Sequence, residues 1–131
     1  MNIGDAFLLT TKGINDHPQV VISDPGQNSE ELVVVSLTSY NTISNESRKD
    51  GSCILQPGDH PWIKHTTCVS YRDGRIVSEG RLDAMLAARQ IELLEPVTDP
   101  ILTRIIEGAE NTEELPNKCK ALLEDQRLIQ G

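Results

Sequence analysis

Short apolar runs alternate with polar, turn-forming segments through the first half of the chain. The runs are rich in Val and Ile, and each is bounded by Gly, Pro, Asp or Asn, which is typical of β-strands separated by turns. Three strands are predicted in this way: GDAFLLT (4–10), PQVVIS (18–23) and ELVVVSLTS (31–39).

A second group of strands follows the polar segment YNTISNESRKDG (40–51). SCIL (52–55) and WIKHTTCVSY (62–71) form a predicted strand pair, joined by the Pro- and Gly-containing turn QPGDHP (56–61). RDG then indicates another turn, and RIVS (75–78) a further short strand.

The apolar spacing becomes helical after Ser78. RLDAMLAARQIELLE (81–95) and TDPILTRIIEGAEN (98–111) are predicted helices, the second with Thr98 or Asp99 as N-cap and Gly108 where it should stop. A last helix is predicted from Pro116 onward. The pattern predicts a mainly β, α+β fold: a single domain over 1–131, with a small antiparallel barrel over about 4–78 and appended helices over about 80–131.

Composition narrows the class of protein. Aromatic residues make up only 3% of the 131 residues, so Val, Ile and Leu must build the core. No run approaches the length of a membrane span and the N-terminus lacks a basic start, so we expect a cytoplasmic protein without membrane contact. Three cysteines at wide spacing indicate reduced thiols rather than a disulfide framework.

The negative net charge of the chain argues against binding of nucleic acid over a large surface. A net charge of -8 disfavours a broad nucleic-acid groove but permits a small local site. Residues 60–75, which include Lys64, Arg72 and Arg75, form the least acidic neighbourhood in the chain.

Cysteines and histidines cluster around the predicted hairpin. Cys53, His60, His65 and Cys68 give a zinc-compatible set of residue types, but without the close pairs that structural zinc sites use. If residues 63–71 are extended, His65 and Cys68 point to opposite faces. The two cysteines are therefore interpreted as small buried apolar residues, and a zinc-stabilised module remains an alternative.

Three other side chains in this region carry open interpretations. His65 fits a rim or core position as well as a catalytic role, and His60 fits turn structure as well as chemistry. Trp62 either anchors the turn or stacks a nucleobase.

Four short segments in order resemble one protein family. Gly4-Asp5, HPQVVIS (17–23), VVVSLTS (33–39) and TTCVSYRDGRIVS (66–78) resemble segments of the MazF/PemK (Kid-like) toxins of type II toxin-antitoxin systems. The resemblance extends over roughly residues 4 to 108. It implies an SH3-like barrel that cleaves single-stranded mRNA without a metal or other cofactor, forms a homodimer and binds a cognate antitoxin protein.

The resemblance also implies roles for individual residues. Arg75 matches a family Arg and would stabilise the phosphorane. His17, which stands where the family has an Arg, would serve as general acid or base, with His65 as the other candidate. Thr38 and Ser39 match the Thr-Ser that ends the family's strand and would position phosphates.

Further residues would assist binding of the substrate. Lys64 and Arg72 would steer the RNA strand, and Trp62 would stack on a base. The chain departs from the family where His17 replaces an Arg, where Arg72 falls at an Asp position, and in the segment 40–65.

These departures leave a second function class open. A non-catalytic binding protein on the same barrel, either similar to the CcdB toxins that bind gyrase or a decayed enzyme, would use the same fold. The nuclease hypothesis requires that positions 17, 38 and 75 meet at one mouth.

Overall fold

A computed structural model describes residues 1–10, 17–26, 30–40 and 50–130. Most of the predicted loop 10–18 and of the polar segment 40–51 lies outside these residues.

The fold is α+β, as the sequence predicts, and its sheet is antiparallel. Six described strands lie side by side in the order β4-β5-β3-β2-β1-β6. The sheet is open, with β4 and β6 as its outer strands, so these residues do not close the predicted barrel. The elements along the chain are β1 (Ala6–Leu9), β2 (Gln19–Val21), β3 (Glu31–Ser39), β4 (Ile54–Leu55), β5 (Thr67–Ser78), α1 (Glu79–Ala87), β6 (Ile91–Leu94), α2 (Asp99–Asn111) and α3 (Asn117–Asp125).

The predicted hairpin and the turn after it are wrong in their boundaries. β5 starts at Thr67 instead of residue 62, and it continues through RDG to Ser78. β5 pairs with β3 at Ser36↔Ser70, and the pairing resumes at Val34↔Arg75. Between these two pairs, four residues of β5 (71–74) lie opposite one residue of β3, Val35. The predicted turn is therefore a bulge within one strand. This kind of irregularity re-aims the strand without ending it.

The first C-terminal helix is shorter than predicted. α1 ends at Ala87, and IELL forms β6, which pairs with β1 from Ile91↔Leu9 to Leu94↔Ala6. Arg89 has a positive φ of 59°, which breaks the helix between the two elements. Pairing with a distant strand thus overrides the helical spacing of the apolar residues.

The second helix continues past its predicted end. α2 includes Gly108 and ends at Asn111. A Cβ on Gly108 would lie 2.2 Å from the hydroxyl of Tyr71, which donates a hydrogen bond to the Ile105 carbonyl at 2.6 Å. This glycine allows close packing of a helix on the sheet and is not a helix stop.

The two faces of the sheet are covered differently. One, called here the helix face, packs against the α2 and α3 region in a single large core. The other, called the α1 face, has a smaller core beneath Leu82 and Met85. The helix-face core includes Val20, Ile22, Val33, Val35, Leu37, Val69, Tyr71, Ile101, Ile105, Ala109, Cys119 and Leu123. The α1-face core includes Phe7, Val21, Leu32, Val34 and Ile91.

No helix in the described ranges has both the length and the apolar character that crossing a membrane requires.

Candidate functional site

An open pocket lies where β2 begins and β3 ends. Its volume is about 280 Å³, and it contains six of the eight residues that the sequence analysis selects. Those six are His17, Thr38, Ser39, Trp62, Lys64 and His65. Leu8, Leu37, Ile63 and Leu94 contribute apolar surface, and Pro18 and Thr67 complete the lining. The pocket therefore combines an apolar floor with histidine, hydroxyl and ammonium groups.

Backbone hydrogen bonds hold the pocket's segments together. The Leu37 amide donates to the Pro18 carbonyl at 2.8 Å, which fixes the residues beside His17 against the end of β3. The Tyr40 amide donates to the Thr66 carbonyl at 2.9 Å, and the Thr67 hydroxyl donates to the His65 carbonyl at 2.8 Å. His65 and Lys64 precede β5 and are exposed, contrary to the predicted strand over 63–71.

Trp62 lines one side of the pocket, and it shares a backbone carbonyl, that of Glu95, with His60. Trp62 Nε1 donates to the Glu95 carbonyl at 2.8 Å, and His60 Nε2 lies 3.1 Å from the same oxygen. Since a carbonyl only accepts, His60 carries its proton on Nε2. The two rings meet edge to face with centroids 4.8 Å apart. These contacts fit the interpretation of both residues as turn structure, and stacking of Trp62 on a base stays a prediction.

His60 itself is buried. Its exposed fraction is 3%, and Nδ1 has no hydrogen-bond partner within the described part of the chain. The buried His60 ring therefore packs between the turn 56–61 and the segment that connects β6 to α2.

Arg75 lies outside the pocket lining, on the α1 face. It pairs with Val34 on β3, and its Nη1 donates to Gln19 Oε1 at 2.7 Å. Burial lowers the pKa of the Arg75 guanidinium, against the opposing effect of the Asp73 charge. Among the described residues, no carboxylate lies within 4.0 Å of it. Within the described ranges, Arg75 is thus a half-buried cation that has a neutral acceptor but no ion-pair partner.

Gln19 is the residue that sequence reasoning missed. Its Oε1 also accepts from the Ser36 hydroxyl at 2.9 Å, and its Nε2 donates to the His17 carbonyl at 3.0 Å. The available signal was a polar residue inside an otherwise apolar strand run. Through Gln19, Arg75 is connected to the chain segment that places His17 at the pocket.

Arg72 does not join this group. Its side chain is 64% exposed and forms an ion pair with Glu114 at 3.5 Å. The structure thus brings His17 and Thr38 to one pocket but leaves Arg75 outside its lining, on the α1 face, so positions 17, 38 and 75 do not all meet at one mouth. Arg75 is linked to the pocket only through Gln19, and Arg72 lies elsewhere on the surface.

The cysteines are buried thiols. Cys53, Cys68 and Cys119 are all free and buried. The free thiols, and the burial of Cys53 and Cys68, were predicted from the sequence. Burial raises the pKa of the Cys53 thiol to about 11 despite the nearby charge of Arg104. Over the described ranges, no group of three or more His, Cys, Asp or Glu side chains is arranged to hold a metal ion.

The site therefore consists of two neighbouring parts: an open pocket with two histidines, and the Gln19–Arg75 hydrogen bond behind its β2 rim. Its groups provide proton donors and acceptors on one side and a fixed positive charge on the other. Comparison of the chain with protein-family models and with curated proteins gives no match.

Proposed function

We propose that this protein is a metal-free endoribonuclease similar to the MazF/PemK toxins, acting on single-stranded mRNA. The observation that carries the proposal is Arg75: a half-buried guanidinium without an ion-pair partner among the described residues. Guanidinium donors match the geometry of phosphate oxygens, and a desolvated cation gains strongly from an anionic ligand.

The chemistry requires few groups. A base removes the proton of the ribose 2′-hydroxyl, the 2′-oxygen attacks phosphorus, and the bond from phosphorus to the 5′-oxygen breaks as an acid protonates that oxygen. His17 and His65 supply the base and the acid, and Arg75 stabilises the charge on the phosphorane. Both histidines line the same pocket, which supports this division of roles.

The neighbouring polar residues bind the RNA strand. Thr38 and Ser39 stand at the end of β3 on the pocket rim, where hydroxyl and amide groups meet phosphates. Lys64 adds an exposed positive charge, and Trp62 presents part of its ring to the pocket. Arg72 steers RNA only from outside this group.

The SH3-like class, the homodimer and the cognate antitoxin belong to the same proposal. The antiparallel strands β1, β2 and β3 lie next to one another in the sheet, and an irregular β5 pairs with both β3 and β4, which supports a small antiparallel β-fold of this class.

The test is cleavage of a mixed-sequence single-stranded RNA in the presence of EDTA. We expect fragments with 5′-hydroxyl ends, and at least about a hundredfold lower rate for Arg75→Met, because the charge that meets the phosphorane is lost. Circular dichroism and the urea midpoint of the variant verify that it is folded.

The matched control is Arg72→Met, which removes an exposed cation of the same strand. We expect it to reduce cleavage less than about threefold, as for a rim charge. Absence of cleavage of any RNA by the wild type, or equal losses in the two variants, would reject the nuclease assignment.

The apolar floor of the pocket favours a second candidate function, a non-catalytic module that binds a protein segment. Leu8 and Leu94, which are partly exposed on this floor, would receive an apolar side chain of the partner. In this case Leu8→Asp removes binding of the partner, and the wild type cleaves no RNA. Nuclease activity created by His17→Arg would identify the wild type as a decayed enzyme.

A further inference from the structure

The Gln19 side chain is a junction between three strands of the sheet and the pocket rim. It stands at the first position of β2 and is 5% exposed. Its oxygen accepts from Arg75 on β5 and from Ser36 on β3, and its nitrogen donates to the His17 carbonyl. Both polar atoms of one buried amide are thus engaged.

Only one orientation of the amide satisfies these partners. Arg75 has donors and no acceptor, so the Gln19 oxygen must face it. The His17 carbonyl accepts only, so the Gln19 nitrogen must face His17. A side chain lacking either the donor or the acceptor would break one half of the junction.

Arg75 depends on this junction for its direction. Arginine loses much rotamer freedom when it is held in one conformation, and the bond to Gln19 at 2.7 Å is the side-chain hydrogen bond that restrains its guanidinium among the described residues. The same amide holds the backbone that presents His17. One side chain therefore sets the position of the cation relative to the proton-transfer group.

We propose that Gln19 is a positioning residue, which fixes the Arg75 guanidinium with respect to His17 and the open pocket. Its catalytic consequence rests on the proposed nuclease function, whereas its effect on Arg75 does not. Small displacements of a catalytic group lower the rate of the chemical step more than they lower binding.

Gln126 provides a matched control elsewhere in the molecule. It is 6% exposed, and its amide also bridges backbone: Oε1 accepts from the Asp24 amide at 2.7 Å, and Nε2 donates to the Asp24 carbonyl at 2.9 Å. Gln126→Met therefore removes a buried amide of the same kind without touching Arg75 or the pocket.

The experiment compares Gln19→Met, Gln19→Glu and Gln126→Met by steady-state RNA cleavage and by nitrogen-15 NMR of the Arg75 guanidinium. In Gln19→Met we expect kcat to fall at least about tenfold with KM within about threefold, because the cation remains but is no longer held. The guanidinium signals should show restrained rotation in the wild type and free rotation in this variant.

Gln19→Glu separates the two halves of the junction. It keeps an acceptor for Arg75, so the guanidinium stays restrained, but its charge neutralises the cation that meets the phosphorane, and kcat falls at least about tenfold. A residue with a merely structural role would not give a restrained guanidinium in one variant and a freely rotating one in the other, with kcat lowered in both.

Several outcomes would overturn the proposal. These are an unchanged kcat in Gln19→Met, an equal loss of kcat in Gln126→Met, or a freely rotating guanidinium in the wild type. If the wild type cleaves no RNA, the nuclease proposal fails by itself. The NMR comparison then tests the positioning role by itself. Restrained rotation in the wild type with free rotation in Gln19→Met supports that role, and equal rotation in the two proteins rejects it.

Discussion

The helix face and the α1 face of the sheet differ in what their polar groups do. On the helix face, the Tyr71 hydroxyl is buried and bonded to the Ile105 carbonyl inside a large apolar core. On the α1 face, the apolar core covers only part of the sheet, and Gln19, Ser36 and Arg75 form hydrogen bonds beside it. The helix face is thus covered by apolar packing, whereas the α1 face carries the hydrogen-bonded group of Gln19, Ser36 and Arg75 beside its smaller core.

Under the proposed function, this difference separates stability from ligand binding. Buried apolar contacts supply most of the free energy of folding, whereas a desolvated cation costs free energy unless an anion binds it. Keeping Arg75 half-buried on the less covered face therefore costs some stability, which a bound phosphate would restore under the proposed function.

The largest expected effect on the free energy of unfolding comes from truncating a side chain in the helix-face core. Ile105 is fully buried in α2, and Ile105→Ala removes apolar contacts and leaves a cavity. We expect the free energy of unfolding to fall by about 2–5 kcal/mol, measured by urea denaturation.

Arg75→Met on the α1 face is the comparison for this variant. It should change the free energy of unfolding by less than about 1 kcal/mol, because the lost hydrogen bond is offset by relief of desolvation. Equal losses in the two variants would show that the faces do not divide stability from function.

A smaller effect should follow from adding one methyl group to α2. In Gly108→Ala the new Cβ would meet the Tyr71 hydroxyl and the Cβ of Cys53, at 2.2 and 2.9 Å. The clash outweighs the gain in helix propensity, and we expect a net loss of about 1–2 kcal/mol in the free energy of unfolding.

Gly80 in α1 is the matched control, since a Cβ there has no neighbour within 4 Å. Gly80→Ala should leave stability unchanged or raise it by up to about 1 kcal/mol. A stable Gly108→Ala protein would mean that the helix face is less tightly packed than the Tyr71 contact indicates.

The smallest effect concerns acid stability at the C-terminal end of α2. Burial alone would raise the pKa of Asp50, but hydrogen bonds from Ser52 and Thr112 outweigh it and hold the pKa below its usual value of 3.8. The ionised carboxylate therefore contributes stability above pH 3.8, and this contribution is lost as the pH falls through the lowered folded-state pKa.

Urea midpoints at pH 7, 5 and 3 measure this contribution. We expect Asp50→Asn to be less stable than the wild type at pH 7 and the difference to shrink at pH 3. Asp125→Asn, on the exposed side of α3, is the control. A difference between Asp50→Asn and wild type that does not depend on pH would contradict the assignment.

Local sequence signals predicted part of the fold well. The run ELVVVSLTS corresponds to β3 at both ends, because β-branched residues between turn formers favour a buried strand and here agree with the pairing of β3 to β2 and β5. Thr98 and Pro100 likewise predicted the start of α2. Where a distant partner decided the outcome, as for IELL in β6 or RDG in the β5 bulge, the local pattern predicted the wrong element.

The residues of the candidate site likewise include some that the sequence predicted and one that it did not. Its residue types in the pocket, above all His17, Thr38 and His65, were predicted from the sequence by resemblance and chemical character. Gln19 was not, because its role depends on contacts with residues far away along the chain, such as Arg75.

The sequence by itself determined the apolar segments that form β1, β2, β3, α2 and α3, and which side chains offer histidine, hydroxyl and guanidinium chemistry, since these follow from residue type and short-range spacing. Only the tertiary structure decided that six of the selected residues share one pocket, that Arg72 lies apart, and that Arg75 lies outside the pocket and is linked to the His17 backbone through Gln19. The physical reason is that strand register and a bulge, both set by long-range pairing, determine which side chains meet.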